Sequence, residues 1–263
     1  MIISFSNQKG GVGKTTTTLN LGVYLALHGK KVLIVDIDPQ SNLTSGLGYK
    51  EKVNEKDENA KGEIKKHPTI YNILIDKATV SESFLATRFK NLFLVPSSID
   101  LAGAEIELVS MMNREGLLKK ALDKVKSQYD FILIDCPPSL GLLTINAFNA
   151  SDRIIIPVQC EYYALEGLGQ LVETINLVKN NLNNGLSLLG VVMTMYDSRI
   201  RLSEQVVNEV RKYFGDKVFK TVIPRNVRLS EAPSYGKPIE EYDNTSTGAK
   251  AYKEFATELL SRM

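Results

Sequence analysis

Residues Lys9 to Thr18 read KGGVGKTTTT, and they stand between an apolar run, Met1 to Phe5, and a helix-forming segment. Within them Gly10-Gly11-Val12-Gly13-Lys14-Thr15 has the Gly-x-x-Gly-Lys-Thr spacing of a phosphate-cradling loop. Glycines let successive backbone N–H groups turn toward one anion, and the N-terminus of the following helix adds partial positive charge at the same place. In such a loop Lys14 reaches the β- and γ-phosphates of a nucleoside triphosphate, and the Thr15 hydroxyl ligates Mg²⁺. The full pattern Gly-x-x-x-x-Gly-Lys-[Ser/Thr] asks for glycine at position 8, where this chain has Gln8, and a second lysine, Lys9, heads the loop instead. A glycine-rich turn with solvated lysines is the plain alternative. The order strand, loop, Gly-Lys-Thr-Thr, helix favours the phosphate loop.

The chain has 263 residues, 43% hydrophobic and 24% charged, which suits one large α/β unit with a substantial core. Its net charge of +2 means that any affinity for nucleic acid must come from a local patch. Two cysteines, Cys136 and Cys160, have neither metal-ligand spacing nor the makings of a disulfide framework, which points to the reducing cytoplasm. The first residues are too short and polar for a secretory signal, and no run approaches about 18 apolar residues, so no membrane span is expected.

Taken in order, residues 2–6 read as a strand, residues 15–28 as a helix closed by Gly29, and residues 31–36 as a buried parallel strand. Period-two alternation places Asp36 and Asp38 on one side at the C-terminal end of that strand, where open α/β sheets bind ligands. A carboxylate there positions an attacking water or contacts Mg²⁺ through water; an Asp- and Pro-rich turn is the alternative. Residues 50–67 are charged and nearly free of apolar anchors, and read as an exposed loop without chemistry. His28 and His67 are isolated. A strand over residues 91–96 precedes a helical region over 101–127 with a break near Asn113. Residues 128–135 form a second acidic strand whose last residue, Asp135, fits a Walker B position holding Mg²⁺ through water. Pro137 and Pro138 stiffen the turn that follows. Strands over 153–158, 188–196 and 218–223 alternate with helices over 162–182, 202–214 and 246–262. The expected fold is α/β: a doubly wound, mostly parallel sheet with helices on both faces, the three-layer arrangement of P-loop NTPases.

KGGVGKTT resembles the deviant Walker A box of the ParA/MinD group of ATPases, in which the extra lysine marks the family. DIDPQ at residues 36–40, IDCPPSLG at 134–141, MYDSR at 195–199 and IPRNVRLSEAPSYGKPI at 223–239 resemble the chromosomal ParA/Soj branch. The likeness runs from Met1 to about Tyr252, with residues 50–67 as the main departure. It implies a single ATPase domain over residues 1–263, with ATP and Mg²⁺ as cofactors. Gly10, Gly11, Val12, Gly13, Lys14, Thr15 and Thr16 would cradle the phosphates, and Lys9 would reach across a homodimer formed on ATP binding. Asp38 would serve hydrolysis beside Lys9 and Lys14; Thr15, Asp38 and Asp135 would surround the metal; Pro224 and Asn226 would meet the base. Arg199 and Arg228 would bind double-stranded DNA without sequence preference, with Arg201, Lys237 and Lys250 as further candidates. The family also implies weak intrinsic activity stimulated by a ParB/Spo-type centromere-binding protein, a role in chromosome or plasmid partitioning, and a cytoplasmic, nucleoid-associated location.

Without the resemblance, the modest basic excess between residues 197 and 237 reads as a solvated surface. Any DNA contact there would be to the backbone and salt-dependent. A MinD-like membrane-associated division-site ATPase is the alternative, but that branch uses a basic amphipathic C-terminal helix, whereas residues 252–263 mix acidic and basic side chains. An electron-donating ATPase similar to the nitrogenase iron protein would need bridging thiolates, and Cys136 and Cys160 do not supply that motif. No helix-turn-helix precedes the first strand, so the short chromosomal type without operator reading is expected.

Overall fold

The computed structural model describes residues 1–58, 64–162 and 167–263. The first two strands, β1 (Ile2–Phe5) and β2 (Val32–Asp36), are buried at every position, as apolar runs must be when helices cover both faces of a parallel sheet. Between them α1 (Lys14–Leu27) starts after Gly13, whose φ of 87° is left-handed. The helix is buried continuously over residues 17–26, which explains why it lacks a clean amphipathic stripe. It packs against the sheet and alongside the last helix of the chain.

Residues 50–67, expected as an irregular loop, contain regular structure. After α2 (Asn42–Gly46), α3 (Lys50–Asn54) is anchored by buried Val53, and β3 (Lys56–Glu58) pairs antiparallel with β4 (Ile64–Lys66). Backbone pairing needs no apolar side chain, so a charge-based reading misses it. Residues 59–63 of that expected loop lie outside the described residues.

Two short helices follow, α4 (Ile70–Leu74) and α5 (Val80–Ser83), each opened by a capping box, Thr69 with Asn72 and Thr79 with Glu82. Next come β5 (Leu85–Ala86), β6 (Leu92–Val95), α6 (Leu101–Val109) and α7 (Leu117–Asp123). The break between the last two falls where Asn113 adopts φ 54°, as the sequence suggested. The remainder alternates: β7 (Phe131–Asp135), α8 (Leu142–Ala150), β8 (Arg153–Gln159), α9 (Leu168–Asn181), β9 (Ser187–Tyr196), α10 (Arg201–Phe214) and β10 (Val218–Pro224). Then α11 (Val227–Glu231), α12 (Ile239–Asp243) and α13 (Thr247–Ser261) close the chain. Helix α9 begins later than the expected residue 162, because Gly167 at φ 79° is its first cap; residues 163–166 of the expected helix lie outside the described residues.

Among the described residues, eight strands form one sheet in the order β10-β9-β8-β1-β7-β2-β6-β5, parallel throughout except for β5 against β6. Helices α1 and α13 cover one face, while α4, α6, α7, α8, α9 and α10 cover the other. This is the doubly wound, three-layer α/β/α fold. Register sets Asp135 beside both Phe5 of β1 and Asp36 of β2. At one end of the sheet, Glu258 of α13 accepts the backbone N–H of Lys220 (2.8 Å) and Thr221 (2.8 Å) of β10, and also the Thr221 hydroxyl (2.7 Å).

Candidate functional site

The loop between β1 and α1 leaves the sheet beside the crossover from β7 to β8, where doubly wound sheets bind ligands outside the carboxyl ends of their strands. Two side chains hold it from below. Asn7 donates from Nδ2 to the Pro157 carbonyl (2.7 Å) and accepts the Lys9 N–H (3.0 Å), while Thr194 of β9 donates its hydroxyl to the Val12 carbonyl (2.8 Å). Gly11 (φ 73°) and Gly13 (φ 87°) take left-handed backbone that a Cβ would strain. Gly10, Gly11, Gly13, Lys14, Thr15 and Thr16 line one end of a cleft of about 590 Å³, whereas Val12 is buried beneath it.

Lys14 is 7% exposed, and its Nζ donates to the Lys9 carbonyl (3.1 Å). Burial holds its pKa below the usual lysine value, against the pull of Asp135, Cys136 and Asp38. Asp135 is fully buried; its Oδ1 accepts the Thr18 hydroxyl at 3.4 Å, and its Oδ2 has no hydrogen-bond partner. Burial, with Asp36 nearby, raises its carboxyl well above the usual range, opposed by the Thr15 hydroxyl and the Lys14 ammonium. A desolvated carboxylate oxygen without a donor, next to Thr15, fits a hydrated divalent cation. Among the described residues no three His, Cys, Asp or Glu side chains are placed to hold a metal unaided, so ligand and water oxygens would have to complete the shell.

Asp36 and Asp38 do not share one role, because the strand and its alternation end at Asp36. Asp38 lines the cleft, with Oδ1 accepting the Gln40 N–H (2.9 Å). Asp36 points into the protein: Oδ2 accepts the N–H (2.9 Å) and hydroxyl (2.7 Å) of Thr44, and burial lifts its pKa to about 6.

Lys9 is not part of the cleft lining. Its side chain is 38% exposed and pairs with Glu161 (3.7 Å), which also meets Arg225 (3.2 Å). Pro224 and Asn226 do not line the cleft either. Asn226 caps α11, accepting the Leu229 N–H (3.3 Å) and donating to the Thr247 hydroxyl (2.7 Å). The far wall is instead formed by Asn20, Ser45, Leu229, Pro233, Ser234 and Lys237; sequence reasoning singled out Lys237 alone among these, and for DNA rather than for the cleft. Their assembly depends on two distant turns packing backbone to backbone: a Cβ on Gly236 would lie 2.7 Å from Gly48 Cα. Arg88 ties the two turns by donating to the carbonyls of Leu47 (2.5 Å) and Gly236 (2.8 Å). The Gly-Pro character of residues 232–238 was the available signal.

Arg199 and Arg228 lie outside the cleft, each engaged by carboxylates. Arg199 makes a two-pronged contact with Asp197 (2.9 and 2.7 Å), and Arg228 meets Glu231 (3.0 Å) and Asp243 (3.5 Å). Arg201 and Lys250 are exposed on α10 and α13, and Lys237 pairs with Glu241 (3.7 Å).

A buried lysine at a helix start, facing a carboxylate one strand away across a doubly wound sheet, defines a P-loop nucleotide-binding protein. A family model described as AAA domain matches residues 1–188. Over 260 residues the chain is 58% identical to the sporulation initiation inhibitor protein Soj of Bacillus subtilis, covering 99% of this chain and 98% of that one. It is 53% identical over 258 residues to the chromosome-partitioning ATPase Soj of Treponema pallidum, covering 98% and 96%. A solved structure described as cobyrinic acid a,c-diamide synthase from Mycobacterium smegmatis, with bound ADP and magnesium, is 38% identical with a TM-score of 0.81, covering 98% of this chain and 93% of that one. The chain belongs to the Soj/ParA family of chromosome-partitioning ATPases.

Proposed function

We propose that the chain is an ATP-dependent dimerising switch that grips duplex DNA without sequence preference in its ATP state and lets go after hydrolysis, in chromosome or plasmid partitioning. The observation that carries this reading is buried Lys14 set among Asp135 and Asp38, with Asp135 Oδ2 lacking a partner.

ATP and Mg²⁺ are its cofactors, and residues 1–263 act as one ATPase domain. The backbone N–H groups of Gly10 to Gly13 and of Thr15 and Thr16 cradle the phosphates, and Lys14 neutralises them. Thr15, Asp38 and Asp135 hold the cation, which when bound offsets the negative charge of the phosphates. Asp38, on the cleft wall, orients the attacking water. The base takes the Leu229 end, with Pro224 and Asn226 shaping it through the start of α11. Lys9 stands on the outer side of the loop in an exposed ion pair. Such a pair holds weakly, so the lysine is free to exchange Glu161 for the phosphates of a second copy. Hydrolysis is slow alone and is stimulated by a ParB/Spo-type partner.

Two chains closing together double the number of cations presented to one DNA, Arg199 and Arg228 from each, which multiplies the binding constants. The location is cytoplasmic, on the nucleoid. A membrane role is disfavoured because the apolar side of α13, Ala249, Tyr252, Phe255 and Leu259, is buried in the core. Among the described residues no helix is long and apolar enough to cross a membrane. A redox role is disfavoured because burial raises both thiols, Cys160 to about 12, away from the thiolate a cluster needs.

The test is binding to a nonspecific duplex with ATP, ADP and no nucleotide, at low and high salt. Binding is expected with ATP, weakening steeply with salt. The Arg228→Glu chain should lose it yet still dimerise with ATP in gel filtration. Equal binding in all three nucleotide states, or ATP-dependent pelleting with lipid vesicles and no DNA binding, would overturn the reading.

A further inference from the structure

Asp38 does not sit on a strand, yet its backbone is gripped from both sides. Its N–H donates to Asp36 Oδ1 (3.2 Å), and its carbonyl accepts both the Ser41 N–H (2.9 Å) and the Ser97 hydroxyl (2.8 Å). Ser97 lies just beyond the end of β6 and is itself tied in, its N–H donating to Thr44 Oγ1 (3.0 Å). That same Thr44 hydroxyl donates to Asp36 Oδ2 (2.7 Å). Hydrogen bonds therefore run in a closed ring from Ser97 to Asp38, Asp36, Thr44 and back to Ser97. Asp36 and Thr44 are wholly buried and Ser97 is 1% exposed.

None of Asp36, Thr44 and Ser97 is part of the cleft lining; of the four residues in the ring only Asp38 lines it. A buried hydroxyl needs a partner, and the Ser97 hydroxyl finds it in the Asp38 carbonyl. Its effect is to couple the end of β6 to the carbonyl of the residue whose carboxylate faces the cleft. We propose that Ser97 is a positioning residue for ATP hydrolysis, its hydroxyl fixing the Asp38 carbonyl and so aiming the Asp38 carboxylate at the reacting water. This rests on the assignment of Asp38 to hydrolysis.

The bonds that remain without the Ser97 hydroxyl make the test clean. The Ser41 N–H still holds the Asp38 carbonyl, the Gln40 N–H still holds its carboxylate, and the Ser97 N–H still reaches Thr44. The turn survives; what is lost is the second restraint on its orientation. Errors of about 1 Å in a reacting geometry reduce rates by up to about a hundredfold, and loss of one of two restraints is expected to act at the lower end of that scale.

Steady-state ATP hydrolysis by wild-type, Ser97→Ala, Ser97→Thr and Asp38→Ala chains tests it, with fluorescent ATP-analogue affinity and nucleotide-free melting temperature measured in parallel. Ser97→Ala should lower kcat about tenfold while KM, analogue affinity and melting temperature stay near wild type. Ser97→Thr should restore kcat, because its hydroxyl donates to the same carbonyl. Asp38→Ala hydrolysing at the wild-type rate would remove the assignment of Asp38 itself. Inactive Asp38→Ala beside fully active Ser97→Ala would leave that assignment standing and overturn the role of Ser97. So would a Ser97→Ala chain whose KM and melting temperature worsen together with kcat, one that fails to fold, or a Ser97→Thr chain that does not recover.

Discussion

Asp36 gives the nucleotide-free chain a pH dependence opposite to that of an ion-paired carboxylate. The group is fully buried, and desolvation lifts its pKa to about 6 against 3.8 in the unfolded chain, with bonds from Thr44 and the Asp38 N–H offsetting only part of the burial. The unfolded chain therefore releases its proton first, and between these values the folded state holds more protons. Stability falls as pH rises through that window, and the full penalty, about 3 kcal/mol, applies above about pH 6. About 1 kcal/mol of this is recovered between pH 7 and pH 5, and the rest at lower pH. Asp36→Asn keeps the size of the side chain but removes the ionisation. Urea unfolding without nucleotide or Mg²⁺ at pH 5, 6 and 7 should show wild type gaining stability toward pH 5, with Asp36→Asn gaining about 1 kcal/mol less. Asp135 is raised for the same reason, so some slope remains in the variant. Identical slopes for the two chains over this range would refute the reasoning.

Three other changes probe the site and its surroundings. Thr194→Val removes the hydroxyl bonded to the Val12 carbonyl; losing one buried hydrogen bond of about 1 kcal/mol should weaken nucleotide binding roughly fivefold in a fluorescent titration, and an unchanged Kd would show that the loop does not depend on it. Glu231→Gln frees Arg228 from its nearest carboxylate, and ATP-dependent DNA binding should then persist to higher salt; a midpoint at the wild-type salt concentration would argue against Arg228 as a DNA contact. Gly236→Ala drives a Cβ against Gly48 at a left-handed φ of 62°. It should lower stability by about 1–3 kcal/mol in thermal melts, and a wild-type melting temperature would mean the two turns can part without penalty.

The elements read correctly from sequence were those written in local pattern. The Gly-Lys-Thr spacing fixed the loop, and the apolar runs ending in Asp36 and Asp135 fixed the strands beside it. The helix break at Asn113 followed from composition, and its left-handed backbone is the physical cause. Arg199 and Arg228 came only from family resemblance, since a solvated arginine has the same local sequence as a functional one. What stayed hidden depends on contacts between distant segments. The inward turn of Asp36 is decided by where β2 stops and by Thr44. The cleft's far wall needs Gly48 and Gly236 to meet, and the pairing of β3 with β4 uses backbone groups that side-chain chemistry does not report. Helices α2, α11 and α12, five residues each, are too short to show a period.

Glu258 also bears on how copies of this chain can meet. A parallel sheet ending in a bare strand invites another strand to continue it, and identical molecules then risk joining into open-ended fibres. Here two successive amides of β10 already donate to one carboxylate from α13. The opposite border is β5, two residues long and running against its neighbour. Both borders of the sheet thus leave little free backbone for a further strand to extend.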